Sequence, residues 1–242
     1  MIILGALSAV AEAVARIYAA RGAAILLAGR RAPELASLAA DLTVRGAASA
    51  RVEVADLAGP DAGRGLAAMA AALGGADVIL LAYGELTDED RAASDLDYAA
   101  RQWRVNALSP VLWSLAAAEL LTRQGSGVLV VIGSVAGDRG RGSNALYGAA
   151  KAGLGTLVQG LAHRLAGTGA RAVLIKPGFI DTPMTAHLKK GGPLWATSET
   201  VAEVIVRAAA KGGPITYAPW FWRFLLLAIR LTPARMFHRT KL

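Results

Sequence analysis

The 242-residue chain contains no cysteine and only three scattered histidines. Without thiols there is no disulfide framework, no thiolate nucleophile and no thiolate metal site, and the histidines form no ligand cluster. No run of about 20 uncharged apolar residues exists, so nothing reads as a transmembrane helix. The opening MIILGALSAVAEA lacks the positive start of a signal peptide and its apolar run stops at Glu12, so it reads as a buried strand entering a helix. Acidic residues stop at Glu203, while Arg207, Lys211, Arg223, Arg230, Arg235, Arg239 and Lys241 follow. The net charge of +8 is therefore mainly a property of the tail. Basic residues confined to one end argue against nucleic acid as a partner.

What remains is rich in apolar residues, 55% against 18% charged, as in a globular domain with one sizeable core. Short apolar runs at 2–5, 23–29, 50–57, 76–84, 127–134, 170–178 and 214–219 read as strands. Helical patterns fill 9–20, 33–45, 60–73, two long stretches flanking Asn106, 147–166 and 199–212. The strands are continuous apolar runs, which predicts burial on both faces and a parallel sheet between helices. The expected fold is α/β, a doubly wound, Rossmann-like parallel sheet with helices on both faces and a C-terminal apolar and basic helical tail. Residues 1–217 are expected to form one nucleotide-binding catalytic domain, with 218–242 as its helical extension.

In such a fold the first strand-to-helix turn offers backbone N–H groups to a pyrophosphate. Here it runs Gly5-Ala-Leu-Ser8-Ala9-Val10-Ala11. Only the glycine of the tight turn is present, and Ala9 puts a Cβ where close phosphate approach favours none. The second strand ends Ala28-Gly29-Arg30-Arg31, with two guanidiniums and no carboxylate for a ribose 2′-OH. Arg30 and Arg31 suit a 2′-phosphate, which favours NADP over NAD. Asp56 and Leu57, after the third strand, are placed to meet the adenine.

Ser134 closes the fifth strand, and Tyr147 and Lys151 lie four apart on the next helix, sharing a face. An ammonium beside a phenol favours the phenolate, so Tyr147 is expected to serve as general acid or base with a lowered pKa. Ser134 would hold the same substrate oxygen, and Asn106 would complete a proton relay through water to Lys151. Lys151 would also reach the nicotinamide ribose.

With these elements the chain resembles the short-chain dehydrogenase/reductase family over essentially its full length. The resemblance rests on the Gly5 loop, Asp56-Leu57, Asn106, Ser134, Tyr147-x-x-x-Lys151, Pro177-Gly178 and the run from Ile180 to Met184. It implies a cofactor surface of Gly5, Ser8, Ala9, Val10, Arg30, Arg31, Asp56, Leu57, Ala82, Gly84, Tyr147, Lys151, Pro177, Gly178, Ile180 and Thr182. Residues 183–196 would form a mobile substrate lid, and a homo-oligomer, dimer or tetramer, is expected. The stretch Leu81-Ala82-Tyr83-Gly84 departs from the Asn-Asn-Ala-Gly usual there, which changes how the central strand is braced.

The tail segment APWFWRFLLLAIR reads as an interfacial helix over 219–231. Arg223 and Arg230 would lie on one side and Phe221, Phe224, Leu225, Ala228 and Ile229 elsewhere, with anionic headgroups attracting the acid-free run. A subunit contact is the other reading. SVAGDRGR, YGAAKAGL and the tail resemble the decaprenylphosphoryl 2-keto-pentose reductases. That implies a polyprenyl-phosphate-linked keto-sugar as substrate, its phosphodiester met by Arg139 and Arg141, and a cytoplasmic protein peripheral at the inner face of the membrane. The alternatives are a soluble sugar, polyol or acyl ketone, and a non-catalytic nucleotide-binding scaffold.

Overall fold

The computed structural model describes residues 1–59, 62–186 and 191–240. Seven parallel strands form the main sheet: β1 (Ile2–Leu4), β2 (Ala24–Gly29), β3 (Ser49–Val54), β4 (Val78–Leu81), β5 (Gly127–Ile132), β6 (Ala170–Pro177) and, after the short pair below, β9 (Ile215–Ala218). Their order is β3-β2-β1-β4-β5-β6-β9, so the winding reverses between β1 and β4. That reversal opens a crevice at the carboxyl ends, where ligands of doubly wound sheets sit. A separate two-stranded ribbon pairs β7 (Phe179–Ile180) with β8 (Trp195–Ala196).

Two apolar layers cover the sheet. Ile3 and its neighbours pack against α1 (Ala9–Ala19), α2 (Ala32–Val44) and α8 (Ser198–Lys211). Ile2 and Leu4 face the other way, toward α3 (Ala62–Leu73), α6 (Ser109–Gln124) and α7 (Ala145–Leu165). Ile2, Ile3 and Leu4 are wholly buried, as a central strand between two helical layers requires.

Four expectations change. Strand β3 is not buried on both faces: SARVEV is half-exposed or exposed throughout. It is an edge strand, and its exposed Arg51 and Glu53 discourage pairing with another chain. Asn106 does not separate two helices. The chain is helical from Leu96 to Gln124, through α5 (Leu96–Trp103), a π-turn over Arg104–Leu108 and α6. By length and composition this helix would cross a membrane, but half of its most apolar window is buried inside the domain. Ser134 lies two residues beyond β5 and caps a 3-10 turn, Val135–Asp138. The tail's apolar residues, finally, divide between two faces. In α9 (Trp222–Leu231), Trp222 and Leu226 are buried beside Val135, with Phe221, Leu225 and Ile229 packed around them. Trp220, Phe224, Leu227 and Leu231 point outward, 71%, 60%, 50% and 73% exposed. Arg223 and Arg230 are exposed, as expected.

The start of the expected third helix at Pro60, the middle of the expected lid at 187–190, and Lys241 lie outside the described residues. The rest of that lid holds a 3-10 turn, Pro183–Thr185, and strand β8.

Candidate active site

The first turn is built around Gly5, at φ +85°, a conformation L side chains rarely adopt. A Cβ there would also lie 2.6 Å from the Cβ of Tyr83. Ser8 then caps α1, its Oγ accepting from the Ala11 N–H at 3.2 Å, so Ala9 and Val10 open the helix toward the crevice. Tyr83, which departs from the family pattern, donates to Ser109 Oγ at 2.6 Å. Ser109 and the Trp113 indole both donate to the Leu57 carbonyl, the latter at 2.8 Å. The phenol thus ties the β4 turn to the Asp56-Leu57 turn, a bracing route that the sequence did not announce. Asp56 accepts from the Ala58 N–H at 3.0 Å.

Arg30 and Arg31 follow β2 on the surface, and each already faces a carboxylate. Arg30 lies 3.7 Å from Glu85, and Arg31 3.1 Å from Glu34. Both pairs are largely exposed, so each contributes at most about 1 kcal/mol and is readily exchanged for a better anion.

The π-turn aims Asn106 inward, where it is almost completely buried. Its amide clasps the backbone of Glu85, accepting from the N–H at 2.9 Å and donating to the carbonyl at 2.9 Å. Glu85 also accepts from Gln102 Nε2 at 3.0 Å. A Cβ on Gly84 would meet Asn106 Oδ1 at 2.9 Å and Lys151 Nζ at 3.3 Å, so this glycine is where the two side chains converge. Ala82, two residues before it, is buried and donates to the Leu4 carbonyl at 2.9 Å.

Ser134 accepts from the Ala136 N–H at 3.1 Å, and its hydroxyl stands beside the Tyr147 phenol. Lys151 is buried, with Nζ 3.4 Å from the Ile132 carbonyl and 5.7 Å from the Tyr147 ring centre. Burial depresses its pKa to about 8. Burial also raises the Tyr147 pKa, opposed by the Ser134 hydrogen bond. The expectation of a lowered phenol pKa is therefore reversed, because burial of the phenol dominates.

At the other rim, Pro177 ends β6 and the Gly178 N–H donates to the Ala218 carbonyl at 3.1 Å. A Cβ on Gly178 would collide with the Trp222 indole, so the tail helix presses directly on this loop. Phe179 stacks on Trp195 at 5.3 Å and meets Trp222 edge-on at 5.7 Å. Ile180 lies in β7, and its carbonyl and the Thr182 N–H both bond Thr185 Oγ1. A cleft of about 620 Å³ lies beside these elements, lined by Gly84, Glu85, Leu86, Thr87, Asp88 and Met184.

The two loop arginines part company. Arg139 is drawn away from the cleft: its guanidinium donates to the carbonyls of Ile229, Arg230 and Thr232 and lies over the Phe237 ring. It clamps the end of α9. Arg141 is half-buried, and burial lowers its pKa. Beneath the serine loop Asp138 pairs with Lys176 and accepts from Tyr217 at 2.7 Å. No spacing pattern signalled the roles of Asp138, Glu85, Gln102 or Trp222, because each acts through a contact distant in sequence.

The strand order and the crevice at the carboxyl ends define a doubly wound, dinucleotide-binding type of fold. The comparisons make that specific. Residues 1–192 match the family model described as short chain dehydrogenase. An uncharacterized oxidoreductase of Mycobacterium tuberculosis is 36% identical over 242 residues, 99% of this chain and 96% of its own. One from Streptomyces coelicolor is 34% identical over 240 residues, 99% and 94% of the two chains. A solved structure of a short-chain type dehydrogenase/reductase from Mycobacterium ulcerans superposes with a TM-score of 0.77 at 23% identity, covering 89% of this chain and 86% of its own. A solved short chain dehydrogenase/reductase family protein gives 0.76 at 27% identity, covering 90% and 94%. The chain belongs to the short-chain dehydrogenase/reductase family.

Proposed function

We propose that the protein is an NADP-preferring carbonyl reductase in which Tyr147 passes the proton, Ser134 holds the substrate oxygen and Lys151 with Asn106 supports the phenol from behind. The observation that carries this reading is the convergence of Asn106 and Lys151 at Gly84, with the Ser134 hydroxyl beside the Tyr147 phenol. The residues fit a nicotinamide coenzyme, because Gly5 makes the tight first turn and the Ser8-capped start of α1 offers backbone N–H groups beside the carboxyl ends of the strands. The bound coenzyme would supply the hydride. Ser8, Ala9 and Val10 would cradle its pyrophosphate; Pro177, Gly178, Ile180 and Thr182 would line the nicotinamide; Asp56 and Leu57 would meet the adenine. A 2′-phosphate, carrying more charge than a carboxylate, would take Arg30 and Arg31 from Glu85 and Glu34. Residues 218–242 belong to the catalytic domain of 1–217 as an extension, since their inner face closes the serine loop.

For substrate we favour a polyprenyl-phosphate-linked keto-sugar, with the protein on the cytoplasmic side and α9 lying in the membrane surface. The supporting feature is the outward stripe of Trp220, Phe224, Leu227 and Leu231 flanked by Arg223 and Arg230. Arg141 is the better candidate for the phosphodiester, because Arg139 is spent on the tail. Exposed Trp103, Leu108, Leu112 and Leu115 on the long central helix suit a homo-oligomer contact.

The test uses the full chain with anionic vesicles and a Phe224→Glu/Leu227→Glu variant that spares the buried face. Salt-sensitive vesicle binding lost in the variant, with NADPH-dependent reduction of the lipid-linked keto-sugar faster than of soluble ketones, is expected. Equal rates on both substrates and no vesicle binding would overturn the lipid reading and favour a soluble ketone.

A further inference from the structure

The first turn of α7 carries Tyr147 and has no cap of its own. Asn144 stands at the capping position but its side chain makes no capping bond, and its Oδ1 is buried without a partner. The orphan N–H groups are met from another helix. Glu89, first residue of α4 (Glu89–Ser94), accepts from the Leu146 N–H at 2.9 Å and from the Tyr147 N–H at 3.1 Å, one through each carboxylate oxygen. Glu89 is itself half-buried.

We propose that Glu89 is a positioning residue that fixes Tyr147 at the cleft and keeps its phenol protonated, ready to donate to a carbonyl. Two bonds from one rigid carboxylate set the position of the Tyr147 backbone. The charge acts on acidity. An uncapped helix start carries about half a positive charge and would favour the phenolate, whereas a carboxylate on the same N–H groups cancels it. Burial of the phenol pushes its pKa upward, in the same direction. The inference deepens the reductase reading by assigning the direction for which the site is poised, and rests on it.

Other charges leave this role to Glu89. Lys151, on α7 itself, lies 5.7 Å from the Tyr147 ring centre and opposes Glu89 in sign. Asp138 is paired with Lys176 behind the serine loop. On α4 Asp90 is exposed and Arg91 is paired with Asp95, and Asp97, Arg101 and Arg104 are exposed. Arg141, in the turn before α7, is half-buried and opposes Glu89 in sign.

The test reads Tyr147 directly. The full chain is labelled with 3-fluorotyrosine and followed by fluorine NMR against pH, with the signal identified by its loss in Tyr147→Phe. Glu89→Gln keeps an acceptor and removes the charge; it is expected to lower the midpoint by about 0.5 unit. Glu89→Asp keeps the charge one methylene further away and is expected to fall between. Circular dichroism checks that each variant is folded, and Glu89→Asp carries the test if Glu89→Gln is not. A midpoint unmoved or raised in the folded variants overturns the proposal. The titration needs neither coenzyme nor substrate, so failure of the reductase reading, seen as unimpaired turnover in Tyr147→Phe, is a separate result.

Discussion

The two halves of the cleft are built differently. On the proposed catalytic side Asn106 and Lys151 are buried, Ser134 stands beside Tyr147, and Glu89, Asp138 and Arg139 lock the surrounding loops by bonds across the chain. On the proposed coenzyme side Arg30 and Arg31 stand in solvent with loose carboxylate partners, and the first turn keeps only its first glycine. A proton-transferring group needs fixed geometry, while an anion-binding arginine needs only reach and charge. The catalytic half should therefore respond to mutation through stability and rate, and the coenzyme half through affinity alone.

Gly178→Ala should break the comparison most forcefully. Its new methyl meets the Trp222 indole on a helix already clamped by Arg139. Overpacking of this kind costs about 1–3 kcal/mol, which for a chain of this size lowers Tm by roughly 2–4 °C per kcal/mol in thermal unfolding. Arg139→Ala should follow, at about 1–3 kcal/mol, because three carbonyls of the α9 terminus lose their donor. If its only effect were on substrate KM, Arg139 would belong to the cleft after all.

Lys151 gives a pH signature of the buried half. Its folded pKa of about 8 lies below the ordinary lysine value, so above pH 8 the unfolded chain holds the extra proton. Stability should rise between pH 8 and 10, by at most about 1.4 kcal/mol per unit. Lys151→Met should abolish that rise in denaturant melts. Arg30→Ala sharpens the other side: NADPH affinity should drop about tenfold, NADH affinity should stay put, and the melting temperature should not move.

The sequence exposed the two halves unequally. Strand and helix order, Gly5, Ser134, Tyr147 and Lys151 were legible because each belongs to a local pattern of fixed spacing. Strand β3 departs from the expected two-sided burial because burial follows position at the sheet's edge, which a short run of strand-forming residues does not fix. The tail helix was legible as a helix, yet its two apolar faces separate only once Trp222 finds Gly178 and Val135. Arg139 looked like a ligand residue for want of its partners, carbonyls some 90 residues away. Glu89 left no trace at all, since an acceptor for another helix's N–H groups looks like any surface glutamate.

The most direct test of the account is a paired measurement on wild type and Tyr147→Phe: NADPH binding by fluorescence, and NADPH oxidation with the ketone substrate. The account predicts unchanged binding and a fall in turnover of about 10³-fold. Turnover that survives in the variant, or binding lost together with it, would contradict the role assigned to Tyr147.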